Sequence, residues 1–163
     1  MNKIKPLQHP ITPCLWFDDR AEEAANFYAS VFPGSAIGRI VRYGKAGYDQ
    51  HHMKEGTVQT VEFRINGQWF TALNGGPVFR FSEAVSMQVI CDTQQEIDYY
   101  WERLISGGGE EGPCGWCKDR FGLSWQVAPA ILPDLLADPT RADRVTEVYL
   151  RMKKFIIQDL LNA

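Results

Sequence analysis

Hydrophobic and polar residues alternate along several stretches of this chain with the two-residue period of a half-buried β-strand. The alternation is clearest at residues 57–65, which lead into Asn66-Gly67, a dipeptide typical of a two-residue hairpin turn. In the first alternating stretch Thr12, Cys14 and Trp16 share one face. The pattern predicts strands at 11–17, 35–43, 57–65, 68–73 and 85–91.

Two segments carry apolar residues at helical spacing. The first helix is predicted to begin after Asp18 or Asp19, either of which is a favourable N-cap, and to end at Pro33-Gly34. The second is predicted from about Thr93 to Ile105, because three consecutive glycines follow it. Each helix therefore follows a strand directly.

The pattern changes after Pro129. A short helix is predicted at 131–137, and a longer helix is predicted to start at Pro139. The longer helix carries an apolar stripe, formed by Val145, Val148, Tyr149, Met152, Phe155, Ile156 and Leu160. A stripe of this size predicts packing on the chain's own sheet or on a partner subunit.

The second strand-helix unit repeats the first at an offset of 74 positions. The matched pairs are Thr12 and Ser86, Leu15 and Val89, Asp18 and Asp92, Glu22 and Glu96, Phe27 and Trp101, Val31 and Ile105, and Gly34 and Gly108. The run 67–72 aligns in a similar way with 122–127, so Thr71 corresponds to Gln126. These repeats predict one α+β domain, 1–163, with two tandem βαβββ modules at about 8–78 and 82–130 and a helical extension at about 131–163.

Composition and charge argue against several classes of protein. The 163 residues are 45% hydrophobic and 23% charged, which is typical of a globular domain. A net charge of -3, with no basic cluster longer than Lys153-Lys154, argues against a nucleic-acid partner. No run approaches the ~20 apolar residues of a membrane span, and the N-terminal residues lack the apolar core of a signal peptide. We therefore expect a cytoplasmic protein whose four cysteines are reduced thiols.

Cys114 and Cys117 have the spacing of a thioredoxin-type redox pair. In that chemistry the first cysteine stands at a helix N-terminus, which lowers the thiol pKa. Here the residues that follow have the pattern of a turn and a strand, so structural thiols are favoured over redox catalysis. A structural zinc site would need a second pair of this kind, which the sequence lacks. Residues 118–120 are interpreted as a solvated turn.

Two further groups of polar residues are candidates for chemistry. His51 and His52 lie in a polar segment, 45–56, that is predicted to be a long loop. Histidine suits general-base catalysis, but adjacent histidines in a polar loop are more simply interpreted as solvated. Glu62 and Arg64 share one strand face, and a solvated or intersubunit face is favoured over contact with a ligand.

Four segments carry a resemblance to a known family. They are P-C-L-W-F-D at 13–18, A-x-x-F-Y at 24–28, F-x-A-L-N-G-G-P-x-F-x-F at 70–81 and G-W-C-K-D-R-F-G-L-S-W-Q at 115–126. The chain resembles the vicinal oxygen chelate superfamily, which includes glyoxalase I, bleomycin-resistance proteins and extradiol dioxygenases. Within it, the chain is similar to the PhnB-like family, often labelled 3-demethylubiquinone-9 3-methyltransferase. The resemblance implies curved sheets that form a cup, and a homodimer.

The resemblance also implies where a metal ion would be held. In the superfamily, His or Glu side chains from equivalent strands of the two modules face the inside of the cup. The corresponding positions in this chain are Thr12, Ser86, Gln126 and, depending on the register, Thr71 or Asn74. None is an imidazole or a carboxylate, and neutral oxygens hold a catalytic divalent ion poorly. The sequence therefore predicts no metal and no other cofactor.

A cup of this composition suits an uncharged or amphipathic small molecule. The predicted ligand-binding residues are Thr12, Cys14, Trp16, Thr71, Asn74, Ser86, Gln88, Ser124 and Gln126. The sequence thus predicts metal-independent binding, with or without modification, of a small organic molecule. The alternatives are a metal-dependent lyase or dioxygenase of the superfamily, sequestration without turnover, redox catalysis by the cysteine pair, and the methyl transfer of the family label. Methyl transfer is disfavoured, because no strand runs into a glycine-rich turn that opens a helix.

Overall fold

The structure, a computed structural model, describes residues 11–163, so the start of the first module at about residue 8 lies outside the described residues. The chain divides into two compact units between Phe79 and Arg80. This division falls between the two predicted modules, and the C-terminal helices belong to the second unit. Within residues 11–163 no helix is long and apolar enough to cross a bilayer.

The first unit contains one four-stranded sheet. Its elements are β1 (Cys14–Phe17), α1 (Ala21–Val31), β2 (Ala36–Arg42), α2 (Tyr48–His51), β3 (Val58–Ile65) and β4 (Gln68–Asn74). The strand order is β1-β4-β3-β2, with β1 parallel to β4 and the other pairs antiparallel. Asn66 and Gly67 have φ angles of 44° and 82°. The predicted hairpin turn is thus confirmed, because two positive φ angles are what a two-residue hairpin requires.

Helix α1 covers one face of this sheet. Alternate residues of β3 are buried beneath it, and the ring of Phe63 stacks on those of Tyr28 and Phe70 at centroid distances of 5.7 and 5.3 Å. Leu15 and Phe17 of β1 are also buried. The residues that alternate with these buried residues point to the opposite side of the sheet, which we call the open face of the first sheet.

The start of α1 differs from the prediction. Neither Asp18 nor Asp19 caps the helix; Arg20 is the N-cap residue, and its side chain makes no capping hydrogen bond. The N–H of Ala21 instead donates to Asn74 Oδ1 of β4 at 2.7 Å. The cap is therefore supplied by a residue distant in sequence.

The second unit repeats this topology and adds three short helices. Its elements are β5 (Ser86–Cys91), α3 (Gln94–Ile105), β6 (Glu110–Glu111), β7 (Trp116–Lys118), β8 (Ser124–Pro129), α4 (Leu132–Ala137), α5 (Ala142–Tyr149) and α6 (Ile157–Leu161). The strand order is β5-β8-β7-β6, and β5 is parallel to β8. Thr93 and Glu96 form a capping box at the start of α3. The α+β class with two βαβββ modules is confirmed.

The parallel strand pairs of the two units have the same register. Cys14 lies opposite Thr71 in the first sheet, and Gln88 lies opposite Gln126 in the second. Gln88 is the repeat partner of Cys14, and Gln126 is that of Thr71. The sequence repeat is therefore a structural repeat at the level of single residues.

The prediction of one long helix from Pro139 is wrong. Helix α5 ends at Tyr149, and α6 begins only at Ile157. Between them the Met152 carbonyl accepts from the N–H of Cys114 at 2.8 Å, and the Lys153 carbonyl accepts from the next N–H at 2.7 Å. Two carbonyl groups of this segment therefore bond to another part of the unit, where a continuous helix would use them for its own hydrogen bonds.

The side chain of Gln94 fixes the start of α6. Its Nε2 donates to the Phe155 carbonyl at 3.0 Å, and its Oε1 accepts from the N–H of Ile157 at 2.8 Å. Val145, Phe155 and Leu160 are buried, whereas Ile156 is exposed. The predicted apolar stripe thus divides, and its buried part packs within the second unit.

Candidate functional site

Three predicted site residues meet on the open face of the second sheet. Gln126 of β8 donates from Nε2 to Ser86 Oγ of β5 at 2.7 Å. Gln88, two residues further along β5, donates from Nε2 to Gln126 Oε1 at 3.4 Å. The three side chains form a chain of neutral donors and acceptors, which we call the amide cluster.

Ser124 lies on the same sheet face, next to the amide cluster. It is opposite Ser86 in β5 and opposite Lys118 in β7. The residue is 1% exposed, and its hydroxyl has no hydrogen-bond partner among the described residues. A buried polar group left in this state costs about 1–3 kcal/mol. Ser124 is one of the residues that line a cleft in the second unit.

The open face of the first sheet carries the corresponding residues. Cys14 is exposed and lies opposite Thr71, which is half-buried. Thr12 is exposed and precedes β1, so it belongs to no strand. Trp16 is half-buried, and its Nε1 donates to the Gly76 carbonyl at 2.9 Å. The structure thus places three of these four residues on strands, with Cys14 and Thr71 as neighbours.

Asn74 lies on the other face of the first sheet. It is 6% exposed, and both ends of its carboxamide are engaged with backbone, at Ala21 and at Val58. Of the two registers considered for the late strand of the first module, Thr71 is the one that faces away from α1.

Glu62 places a carboxylate on the open face of the first sheet. The sequence did not predict it as a site residue. It is half-buried and lies directly opposite Thr71. Arg64, which sequence reasoning grouped with it, lies over the ring of Trp69 at 5.7 Å from the centroid. The hairpin turn was a usable signal, because a two-residue turn at 66–67 sets position 62 opposite position 71.

The amide cluster does not fit a catalytic divalent metal ion. Its donors are a hydroxyl and two carboxamides that already bond to one another, and none carries the charge that such an ion requires. Within the described part of the chain, no three His, Cys, Asp or Glu side chains are placed to hold a metal ion together.

A family model described as 3-demethylubiquinone-9 3-methyltransferase matches residues 9–128. The chain belongs to this family. The match ends within β8, so helices α4, α5 and α6 lie outside it. No curated protein is significantly similar to the chain.

Solved structures share the fold of the chain, and one of them carries the same family description. A putative 3-demethylubiquinone-9 3-methyltransferase, PhnB protein, from Bacillus cereus is 36% identical over 75% of this chain and 100% of its own, with a TM-score of 0.64. Protein PA1353 from Pseudomonas aeruginosa is 18% identical over 75% and 98%, with a TM-score of 0.59. The fosfomycin resistance protein FosX from Mesorhizobium loti is 15% identical over 81% and 99%, with a TM-score of 0.55. The fold is that of the vicinal oxygen chelate superfamily.

The family description names a methyltransferase, whose usual cofactor would be S-adenosylmethionine. A typical site for such a cofactor has a glycine-rich turn between a strand and the helix that follows. In this chain β1 passes into α1 through Asp18, Asp19 and Arg20, and β5 passes into α3 through Asp92 and Thr93. These two acidic connections do not fit that arrangement.

The cysteine pair lies in a turn and a strand, as predicted. Cys114 and Gly115 have φ angles of 53° and 79°, and Trp116 donates its N–H to the Pro113 carbonyl at 3.0 Å. Cys117 follows in β7 and is 2% exposed. Burial, with a smaller contribution from the Asp119 carboxylate, raises the pKa of the Cys117 thiol to about 12. This is the reverse of what a redox-active thiol requires.

The segment at 118–120 is not a solvated turn, contrary to the prediction. Asp119 is 3% exposed, and its Oδ1 accepts from the N–H groups of Phe121 and Leu123 at 2.8 and 3.1 Å. Its Oδ2 accepts from Trp125 Nε1 at 2.8 Å. The carboxylate therefore holds the β7–β8 hairpin together from within.

His51 is not simply solvated, contrary to the prediction. It ends α2, a short helix within the segment predicted as a loop, and its ring packs on that of Tyr43 at 4.5 Å between centroids. Its Nδ1 accepts from the N–H of Met53 at 2.9 Å, so Nε2 carries the proton and donates to the Ala46 carbonyl at 3.1 Å. His51 therefore holds this segment in place, whereas His52 is exposed.

Proposed function

We propose that the chain binds a small organic molecule, without a catalytic metal, on the open faces of its sheets. The amide cluster of Ser86, Gln88 and Gln126 carries the proposal. Each carboxamide has both donor and acceptor groups, so the cluster can pair with hydroxyl, carbonyl or amide groups of a ligand. Ser124 adds a buried hydroxyl beside it.

The open face of the first sheet is proposed as a second binding surface. Thr12, Cys14, Trp16 and Thr71 are proposed to contact ligand from that unit. Glu62 joins them, because it lies opposite Thr71. Asn74 is left out of the proposed site, since its carboxamide is bonded on the helix side of the sheet.

A thermal-shift screen across metabolites, quinone precursors and phosphonates, followed by calorimetric titration of the hits, tests binding. Replacing Gln126 by Leu removes the central member of the amide cluster at similar volume. We expect Gln126→Leu to weaken binding by about tenfold, the scale of one to two lost hydrogen bonds. Gln95→Leu, the same change at an exposed position of α3, is the matched control. Equal affinity of the two variants would contradict the proposal.

Metal independence has its own test. We expect no stoichiometric, submicromolar binding when the protein is titrated with Zn, Ni, Mn or Fe(II). Tight binding that Ser86→Ala and Gln126→Leu abolish would favour a metal-dependent lyase or dioxygenase instead. Turnover of a hit, followed by mass spectrometry, separates modification from sequestration.

A homodimer in the cytoplasm is also part of the proposal. The edge strand β5 exposes Ile90 at 59%, and Val85 just before it is 64% exposed. The edge strand β2 exposes Ile40 and Val41 at 38% and 39%. Unpaired strand edges with apolar side chains favour association. Sedimentation velocity that gives only a monomer at micromolar concentration would contradict it.

A further inference from the structure

A cleft of about 370 Å³ lies in the second unit, along β6 and β7. Its lining residues are Glu83, Glu110, Glu111, Gly112, Pro113, Trp116, Cys117, Lys118 and Ser124. Trp116 lies opposite Gln126, and Lys118 lies opposite Ser124. The cleft therefore adjoins the amide cluster on the open face of the second sheet. Its volume is at the lower end for small-molecule sites.

The charges around this cleft do not balance. Glu83 pairs with Lys118 at 2.6 Å, and Glu111 pairs with Lys153 at 3.2 Å. Glu111 also accepts from Trp101 Nε1 at 3.2 Å, so both of its oxygens are engaged. Glu110 is exposed and forms no ion pair or hydrogen bond with another residue of the range 11–163. Glu110 lies opposite Lys118 in the β6–β7 pair, so the carboxylates of Glu83 and Glu110 share one ammonium group, and this side of the cleft carries one excess negative charge.

The other walls of the cleft are complementary to an amphipathic molecule. The half-buried indole of Trp116 and the ring of Pro113 present apolar surface beside the carboxylates. An aromatic face next to negative charge attracts an organic cation, because the ring quadrupole adds to the Coulomb attraction. Ser124, whose buried hydroxyl has no hydrogen-bond partner among the described residues, also lines the cleft.

We propose that this cleft binds a small organic cation, a primary or substituted ammonium group attached to an apolar or aromatic body. The ammonium group lies at Glu110, and the apolar body lies against Trp116. This inference rests on the proposed function and specifies the class of ligand that the second unit binds. Lys118 opposes the cation, since it is held between Glu83 and Glu110 on the same face.

Calorimetric titration with three probes of one shape tests the charge preference. Phenethylammonium, 2-phenylethanol and 3-phenylpropionate share a phenyl ring and a short chain, and differ in charge. We expect phenethylammonium to bind at least about threefold more tightly than the alcohol, and the carboxylate to bind most weakly. The preference declines at high ionic strength, because Glu110 is exposed.

Three variants locate the effect. Glu110→Gln weakens phenethylammonium binding by at least about threefold and leaves 2-phenylethanol unchanged. Trp116→Leu weakens the cation more than the alcohol, because it keeps an apolar side chain but removes the aromatic face. Lys118→Gln strengthens cation binding, since it frees Glu83. Glu102→Gln, a matched change at an exposed position of α3, alters nothing.

The outcomes separate this inference from the function on which it rests. If the alcohol binds as tightly as the cation and Gln126→Leu weakens both, the small-molecule proposal stands and the cation preference is refuted. If Glu110→Gln and Glu102→Gln behave alike, the assignment of Glu110 is refuted. If no probe binds the wild-type chain, the cation inference is refuted, and the metabolite screen alone decides the proposed function.

Discussion

The side chain of Asn74 in β4 caps helix α1 by accepting the N–H of Ala21 at 2.7 Å. Its Nδ2 donates to the Val58 carbonyl of β3 at 3.1 Å, and its own carbonyl accepts from the hydroxyl of Tyr43 at 2.6 Å. One buried residue thereby joins β4 to the helix, to the neighbouring strand and to the end of β2. Asn74 is a structural residue of the first unit.

Replacing Asn74 by Ala should destabilise the chain by about 1–3 kcal/mol. The variant leaves the Ala21 N–H and the Val58 carbonyl without their partner in a buried place. Urea denaturation measures the loss. Asn26→Ala is the control, since Asn26 is exposed and bonds only within α1, and we expect a change of less than about 0.5 kcal/mol. Equal losses in the two variants would contradict the assigned role.

Replacing Gly75 by Ala should displace the ring of Trp16. A Cβ atom at Gly75 would overlap that ring. The ring is held in place because its Nε1 donates to the Gly76 carbonyl and because it packs edge to face with the ring of Phe79, at 4.9 Å between centroids. We expect a shift of the Trp16 indole resonance and a loss of about 1–3 kcal/mol in the free energy of unfolding. Gly44→Ala is the control, because open space surrounds that position. An unmoved indole resonance in Gly75→Ala would show that the contact is absent.

Replacing Asp119 by Ala should strongly destabilise the second unit. Two backbone N–H groups and the Trp125 indole lose a buried charged acceptor, so we expect a loss of roughly 3–5 kcal/mol. Asp119→Asn should lose less, because the carboxamide keeps one oxygen for the two N–H groups. Asp134→Ala, at an exposed position of α4, is the control. Denaturation midpoints that rank the two Asp119 variants in the opposite order would refute this account.

The strands and the repeat were predictable because they depend on local patterns. The two-residue alternation at 57–65 sets which side chains of β3 are buried, and Asn66-Gly67 sets the hairpin register. The offset of 74 predicted that the two units share a topology, and the matched registers at Cys14 and Gln88 confirm it. The placement of Gln126 beside Ser86 follows from that repeat.

The errors come from contacts between residues far apart in sequence. The cap of α1 depends on Asn74, which lies 53 positions away from Ala21. The break between α5 and α6 depends on N–H groups at Cys114 and Gly115. Asp119 belongs to a charged tripeptide, and only the fold places its carboxylate where it accepts a hydrogen bond from Trp125 Nε1. Local periodicity carries no information about such partners.

The thiol of Cys117 should make the folded chain lose stability as the pH rises from about 9 to about 12. Burial raises the pKa of this thiol to about 12, whereas an unfolded chain releases the same proton near its ordinary value. Between these values the unfolded state binds fewer protons than the folded state, so alkali favours unfolding. Cys91 adds to the effect in the same direction, because burial raises its pKa to about 11.

The Cys117→Ala variant isolates this contribution. It loses stability at neutral pH because it leaves a small cavity, but its stability falls less steeply with pH than that of the wild-type chain. Val127→Ala is the matched control: it also truncates a fully buried side chain of the second unit, and it keeps the thiol, so its pH slope equals that of the wild type. Urea denaturation across the alkaline range measures both slopes. If Cys117→Ala retains the wild-type slope, the thiol does not titrate in this range and its burial does not have the assigned consequence.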